Sequence, residues 1–196
     1  MTGTGQTLPR ADVSNGGDPY IQTLGGPYFF EDPSRNPEVF RIDYLAKALA
    51  NQCRFTGQVD RFTSVAEHSV TVAAIVLELT DDRQKALAGL LHDAPEAILG
   101  DVSSPLKAIL GEVYRRLERK AQAAIFAHYG LPLPFPDEVK KADMISLATE
   151  KRDLVLHDPN AWPCLAGVEP LSSKTKSLHP EDARALFLEV YAALAS

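Results

Sequence analysis

The sequence predicts an all-α domain, a helical bundle with a small β-hairpin or irregular appendage at its N-terminal end. Apolar residues recur at helical spacing along most of the chain, as at Ile42, Leu45, Ala46 and Leu49. Helix start and stop signals bracket those stretches. β-rich residues gather in one short early segment only. A length of 196 residues is enough for one domain with a real core.

Residues 1–18 are rich in Gly, Thr, Ser and Pro and read as a flexible leader, with residues 19–196 as a single domain. Tyr20–Phe30 has β-rich ends around Gly25, Gly26 and Pro27, which suits a hairpin; Pro33 and Pro37 then mark a loop. A helix is expected from Ile42 to about Gln52 or Cys53, followed by a connection broken at Gly57. Ser64 and Glu67 form a capping-box pair before VAEHSVTVAAIVLEL, which is apolar around much of its circumference and so reads as central. Asp81 and Asp82 end that helix or cap the next. RQKALAGLLHDAPEAIL is expected to be a second central helix, broken by Gly100-Asp101 and Ser103-Ser104-Pro105. A further helix starts at Pro105 or Leu106 and stops at Gly130. LPLPFP is a linker. Asp137 is expected to cap a long helix that ends before His157-Asp158-Pro159, and Pro180 to Ala195 forms a last amphipathic helix. That last helix could pack on its own domain or in a homo-oligomer.

Composition removes several classes of function. A net charge of −6 argues against wrapping a nucleic-acid polymer, though not against a local basic pocket. Cys53 and Cys164 form no CxxC pair, so a Cys-based zinc site is not expected. They read as reduced thiols of a cytoplasmic protein. No run of about 18 apolar residues suggests a membrane span, and the leader lacks an apolar signal core.

The chemistry gathers on three apolar helical stretches. His92 and Asp93 stand side by side in LAGLLHDAPEAIL, His68 interrupts a second apolar stretch, and Asp143 interrupts a third between Val139 and Ile145. A charged Asp in apolar surroundings needs a partner. Each residue taken singly could be a hydrogen-bonded or salt-bridged core group. Together, two imidazoles and two carboxylates make a plausible octahedral divalent-metal site with positions open for water and substrate.

The order H…HD…D, in the local stretches NQCRFTGQ, SVAEHSV, LLHDAPEAILGDVSSPLK and ADMISLATEKRDL, resembles the HD phosphohydrolase superfamily over roughly Ile42 to Leu156. Within it the chain is most similar to the small bacterial and phage 5′-deoxynucleotidase-type members. The resemblance implies an HD-domain helical bundle and one divalent ion (Mn, Co, Fe, Ni, Zn or Mg) held by His68, His92, Asp93 and Asp143. It makes Glu96 the carboxylate that orients the metal-bound water, and Asp101 a catalytic residue that contacts the attacking water or protonates the leaving oxygen. Arg54 would bind phosphate and Phe55 would pack on the sugar. Related nucleotidases carry Trp at that aromatic position, which leaves the preference for deoxyribose open. Lys107 could add a phosphate contact, and Lys151 and Arg152 could reach a longer phosphate tail. Only His128 lies between the His92-Asp93 pair and Asp143, which favours one metal over two. His157 and His179 read as surface or loop residues.

The expected activity is metal-dependent hydrolysis of a small nucleotide, with a 5′-deoxynucleotidase acting on deoxynucleoside monophosphates as the leading reading. A dNTP triphosphohydrolase and a (p)ppGpp hydrolase are rivals in the same family. A non-catalytic nucleotide-binding regulatory module is the rival of a different class. The expected partner is a small nucleotide, with no nucleic-acid polymer and no membrane.

Overall fold

The computed structural model describes residues 18–155 and 157–196. The expected leader therefore falls outside the described residues, except for Asp18, which is exposed and pairs with Arg35 at 3.2 Å. The chain opens with an antiparallel hairpin, β1 (Tyr20–Thr23) and β2 (Gly26–Phe29), with Thr23 opposite Gly26 and Tyr20 opposite Phe29. Gly26 takes φ 104°, a conformation that favours glycine. A Cβ at Gly25 would stand 2.5 Å from the Glu38 carbonyl oxygen, so the hairpin sits directly on the following segment. Asn36 Nδ2 ties the two together by donating to the carbonyls of Gly25 and Pro27. Buried Tyr28 packs on Phe40. The proline-marked loop is a pair of short 3-10 turns, Pro33–Arg35 and Pro37–Phe40.

Seven α-helices follow among the described residues: α1 (Ile42–Ala50), α2 (Val65–Thr80), α3 (Arg83–Leu90), α4 (Glu96–Leu99), α5 (Ser104–His128), α6 (Asp137–Leu154) and α7 (Pro180–Ala195). The central α2 packs against α1, α3, α6 and α7. Its capping box is present, with Ser64 Oγ accepting from the Glu67 amide and the Glu67 carboxylate accepting from the Ser64 amide. Asp81 closes α2 in the left-handed conformation, and Asp82 caps α3 by accepting from the Lys85 amide. The C-terminal α7 packs on its own domain and buries Ala183 and Phe187. No described helix is long and apolar enough to cross a membrane.

Three expectations about helices need correction. The stretch carrying His92 and Asp93 is not one helix: α3 stops at Leu90, residues 91–95 form tight turns, and α4 begins at Glu96. Pro95 lacks the amide that would bond back to Leu91, and its ring crowds that carbonyl. The turns keep shorter-range bonds instead, such as Ala94 N–H to Leu91 O at 3.1 Å. Asp137 does not cap α6: Pro136 holds the cap position, and no side chain closes the first turn. The helix expected to run unbroken to Gly130 is interrupted at Gly111, which takes φ 67° and ψ −143°.

Candidate metal centre and active site

His68 comes from the second turn of α2, His92 and Asp93 from the turns between α3 and α4, and Asp143 from the second turn of α6. The break in the chain at 91–95 turns the His92-Asp93 pair out toward the other two. His68, His92 and Asp143 each offer a ligand atom, and these atoms lie within 4.8 Å of one another. Asp93 Oδ2 stands 3.2 Å from His92 Nε2 and 3.5 Å from His68 Nε2. Asp143 Oδ1 stands 3.4 Å from His68 Nε2 and 4.0 Å from His92 Nε2.

Both imidazoles are oriented from behind. His92 Nδ1 sits 2.8 Å from the Gly89 carbonyl oxygen and so carries the proton. His68 Nδ1 sits 3.0 Å from Glu150 Oε1 and 3.1 Å from Ser146 Oγ. Each ring then turns its Nε2 lone pair inward, and both Nε2 atoms are buried without a hydrogen-bond partner. Buried polar atoms are rarely left so. Two orphaned imidazole nitrogens facing two carboxylates are the donor set that a divalent cation satisfies, so the residues fit a metal.

Electrostatics agree with that reading. Burial opposes ionisation of Asp93, but His92, His68 and Arg54 hold its carboxyl far below the usual range. Burial also opposes ionisation of Asp143, yet the His68 contact brings its carboxyl down. Burial drives Glu96 up, with help from the Asp93 and Asp101 charges, to about 9. Burial pushes Asp101 up as well, against the pull of Arg54.

Glu96 shares a cavity of about 310 Å³ with His92, Asp93 and Asp143. Its Oε1 is 3.4 Å from Lys107 Nζ, which also donates to Glu118 at 2.7 Å. Arg54 is buried and donates from Nη2 to Glu150 at 2.8 Å, while its Nη1 stands 3.8 Å from Asp93. Phe55 follows in a left-handed conformation, φ 55°, with its ring 6.1 Å from that of Trp162. The structure thus brings Arg54, Glu96 and Lys107 to the edge of the four-residue cluster. Asp101 joins them at the end of α4, and Phe55 lies beside Arg54.

Several contributors carry no local signal. Glu150 links Arg54 to His68. Gln52 braces both ends of α4 by donating to the Glu96 carbonyl at 2.8 Å and accepting from the Asp101 amide at 3.0 Å. Trp162 supplies an aromatic ring that the sequence shows only as part of a loop. Periodicity reveals none of these, because each works through a partner 44 or more residues away.

The cationic pair after Asp143 behaves differently. Lys151 donates to the Asn160 carbonyl and lies over Trp162 at 5.2 Å, at the outer margin of the aromatic pair. Arg152 does not join the site; it is held by Asp153 and by the carbonyls of Leu171 and Ser173. Arg152, with Thr175, holds Asp153 down to about 2. A depressed carboxyl stabilises the fold above its unfolded value and loses that contribution as pH falls toward about 2. Asp153→Asn is expected to lower stability by about 1 to 2 kcal/mol at pH 7, since water screens the exposed Arg152 side. The deficit should shrink below pH 4. Thermal melts of both proteins at pH 7 and pH 3 check this, and an equal gap at both would refute it.

Comparison with known proteins agrees with the geometry. A family model described as HD domain matches residues 46–150. The chain is 38% identical over 171 residues, 87% of its length and 92% of the relative's, to the uncharacterized protein YfdR of Escherichia coli (strain K12). It is also 38% identical over 115 residues, 57% of its length and 58% of the relative's, to an uncharacterized protein of Rhodobacter capsulatus. The chain belongs to the HD-domain family. HD domains are in general metal-dependent hydrolases, and here the His68–His92–Asp143 group could hold the metal.

Proposed function

We propose that the protein hydrolyses the phosphate ester of small deoxynucleotides, with deoxynucleoside 5′-monophosphates as its substrates. The observation that carries this is the pairing of two orphaned imidazole nitrogens with the flanking cations Arg54 and Lys107 and the buried carboxyl of Glu96. The ion would be held by His68, His92, Asp143 and Asp93, and would polarise a phosphoryl oxygen and acidify water. Arg54 and Lys107 supply positive charge beside that position and stabilise charge developing on the phosphoryl group. Arg54 is already anchored at one end by Glu150, so its orientation costs little on binding. Glu96, protonated at neutral pH by its surroundings, can donate a proton to the leaving oxygen, and Asp101 can orient water on the same side. Phe55 and Trp162 offer apolar surface for the sugar. Gln52 keeps Glu96 and Asp101 in a fixed relation.

A dNTP triphosphohydrolase is the second reading. With Arg152 committed to Asp153 and loop carbonyls, less positive charge remains for a triphosphate tail, which favours the monophosphate. Metal-reconstituted protein incubated with dAMP and dATP, with products separated by chromatography, tests both. Nucleoside and phosphate from dAMP is the expected result. Nucleoside and triphosphate from dATP, with dAMP intact, would replace it with the second reading. No cleavage of either with Mn, Co, Mg or Zn would favour a nucleotide-binding module.

A further inference from the structure

One polar side chain in the cavity beside the metal ligands has no task in the fold. Gln122 lies on α5 and is only 9% exposed. Its Nε2 is buried with no hydrogen-bond partner. It lines the same cavity of about 310 Å³ as His92, Asp93, Asp143 and Glu96. A buried amide without a partner destabilises a protein, and replacing it with an apolar group of the same shape is neutral or better. Such a group is therefore a candidate for contact with a ligand.

The surroundings indicate which part of a ligand it meets. Phe135 and Val139 line the cavity next to it, and Phe135 is fixed edge-on against buried Phe126 with ring centroids 5.1 Å apart. Those two apolar side chains suit the face of a flat heterocycle. Arg119 and Lys140 also line the cavity, but both are exposed to solvent and Arg119 is paired with Glu112. An amide is neutral and offers a donor and an acceptor side by side, which matches the edge of a nucleobase. The cavity's volume is at the small end of ligand sites, room for one small nucleotide.

We infer that Gln122 is a specificity-determining residue that hydrogen-bonds the edge of the substrate's nucleobase, with Phe135 and Val139 packing against the base. This rests on the proposal that the protein cleaves nucleotides. It adds a base subsite on α5.

The test compares dAMP, dGMP, dCMP and dTMP with 2-deoxyribose 5-phosphate, which carries the same ester and no base. Gln122→Met keeps the length of the side chain and removes the amide. Its kcat/KM for the best deoxynucleotide, divided by that for 2-deoxyribose 5-phosphate, is expected to fall about tenfold or more, through KM. Its Tm is expected to equal or exceed that of the parent. Gln122→Glu, which keeps an acceptor but loses the donor, should also lower the ratio and guards against a Met variant that folds poorly. An unchanged ratio in both variants overturns the inference. So does a parallel loss on both substrates with a lowered Tm, which would make Gln122 a packing residue. Those outcomes leave the nucleotidase reading standing, because the parent still cleaves nucleotides. A parent that cleaves none removes that reading, and the base subsite with it.

Discussion

Asp93→Asn is expected to lose its bound metal and to slow turnover by at least about 10³-fold, while its far-UV circular dichroism stays unchanged. Among the described residues, Asp93 is the one carboxylate that faces both imidazoles and Arg54 together. Burial opposes its ionisation, but these neighbours hold its carboxyl far below the usual range. Asparagine has the same shape, so packing survives, but the site loses a full negative charge and its strongest oxygen donor. The fold does not depend on this group, because Asp93 sits in the turns between α3 and α4 and not within a helix. Metal content after dialysis, initial rate and circular dichroism measured on one preparation separate the possibilities. Retained metal with retained rate would remove Asp93 from the centre. Retained metal with a lost rate would move its role from holding the ion to handling water.

Much of this arrangement can be read in the sequence, and the limits have physical causes. Helical spacing defines α1, and spacing with start signals defines α2 and α7, because those signals act within a few residues of where they lie. The group formed by His68, His92 and Asp143 is legible since polar, metal-competent residues in apolar stretches need a reason. The interruption at 91–95 is hidden because LAGLLHDAPEAIL keeps an apolar pattern straight through Pro95. The missing amide of Pro95, and not the pattern, decides the local path. Asp137 offers a cap in composition, but Pro136 takes that position, so composition alone misplaces the helix start by one residue. Glu150, Gln52 and Gln122 are ordinary polar residues on helices or beside them. Only the assembled bundle shows that one orients a ligand, one clamps two backbone groups and one faces the cavity unpaired.

Arg54→Ala is expected to cost more in stability than any other single change at the site, about 3 to 5 kcal/mol. Arg54 and Glu150 form a buried pair at 2.8 Å, with Glu150 only 2% exposed. Removing the guanidinium leaves that carboxylate in an apolar setting with the His68 ring nitrogen as its remaining polar contact. Burial opposes ionisation of Glu150, and it is Arg54, then His68, that holds its carboxyl down to about 2. Without Arg54 it must rise. At about 2 to 4 °C per kcal/mol for a chain of this size, Tm should fall by roughly 6 to 20 °C. Arg54→Lys should fall between, since a lysine keeps the charge and loses the fork that spans Glu150 and Asp93. Melting curves decide the point, and a fall in Tm of less than about 2 °C for Arg54→Ala would show that the pair carries no such cost. The double variant Arg54→Met/Glu150→Gln separates stability from chemistry. With the two charges of the Arg54–Glu150 pair removed together, most of the Tm should return. The His68 ring, however, loses the carboxylate that aligns its Nδ1, so metal affinity should remain about 10- to 100-fold weaker. A double variant that regained both would mean that Glu150 serves only to neutralise Arg54. One that regained stability alone would place Glu150 behind His68 as the residue that keeps the imidazole aimed at the metal.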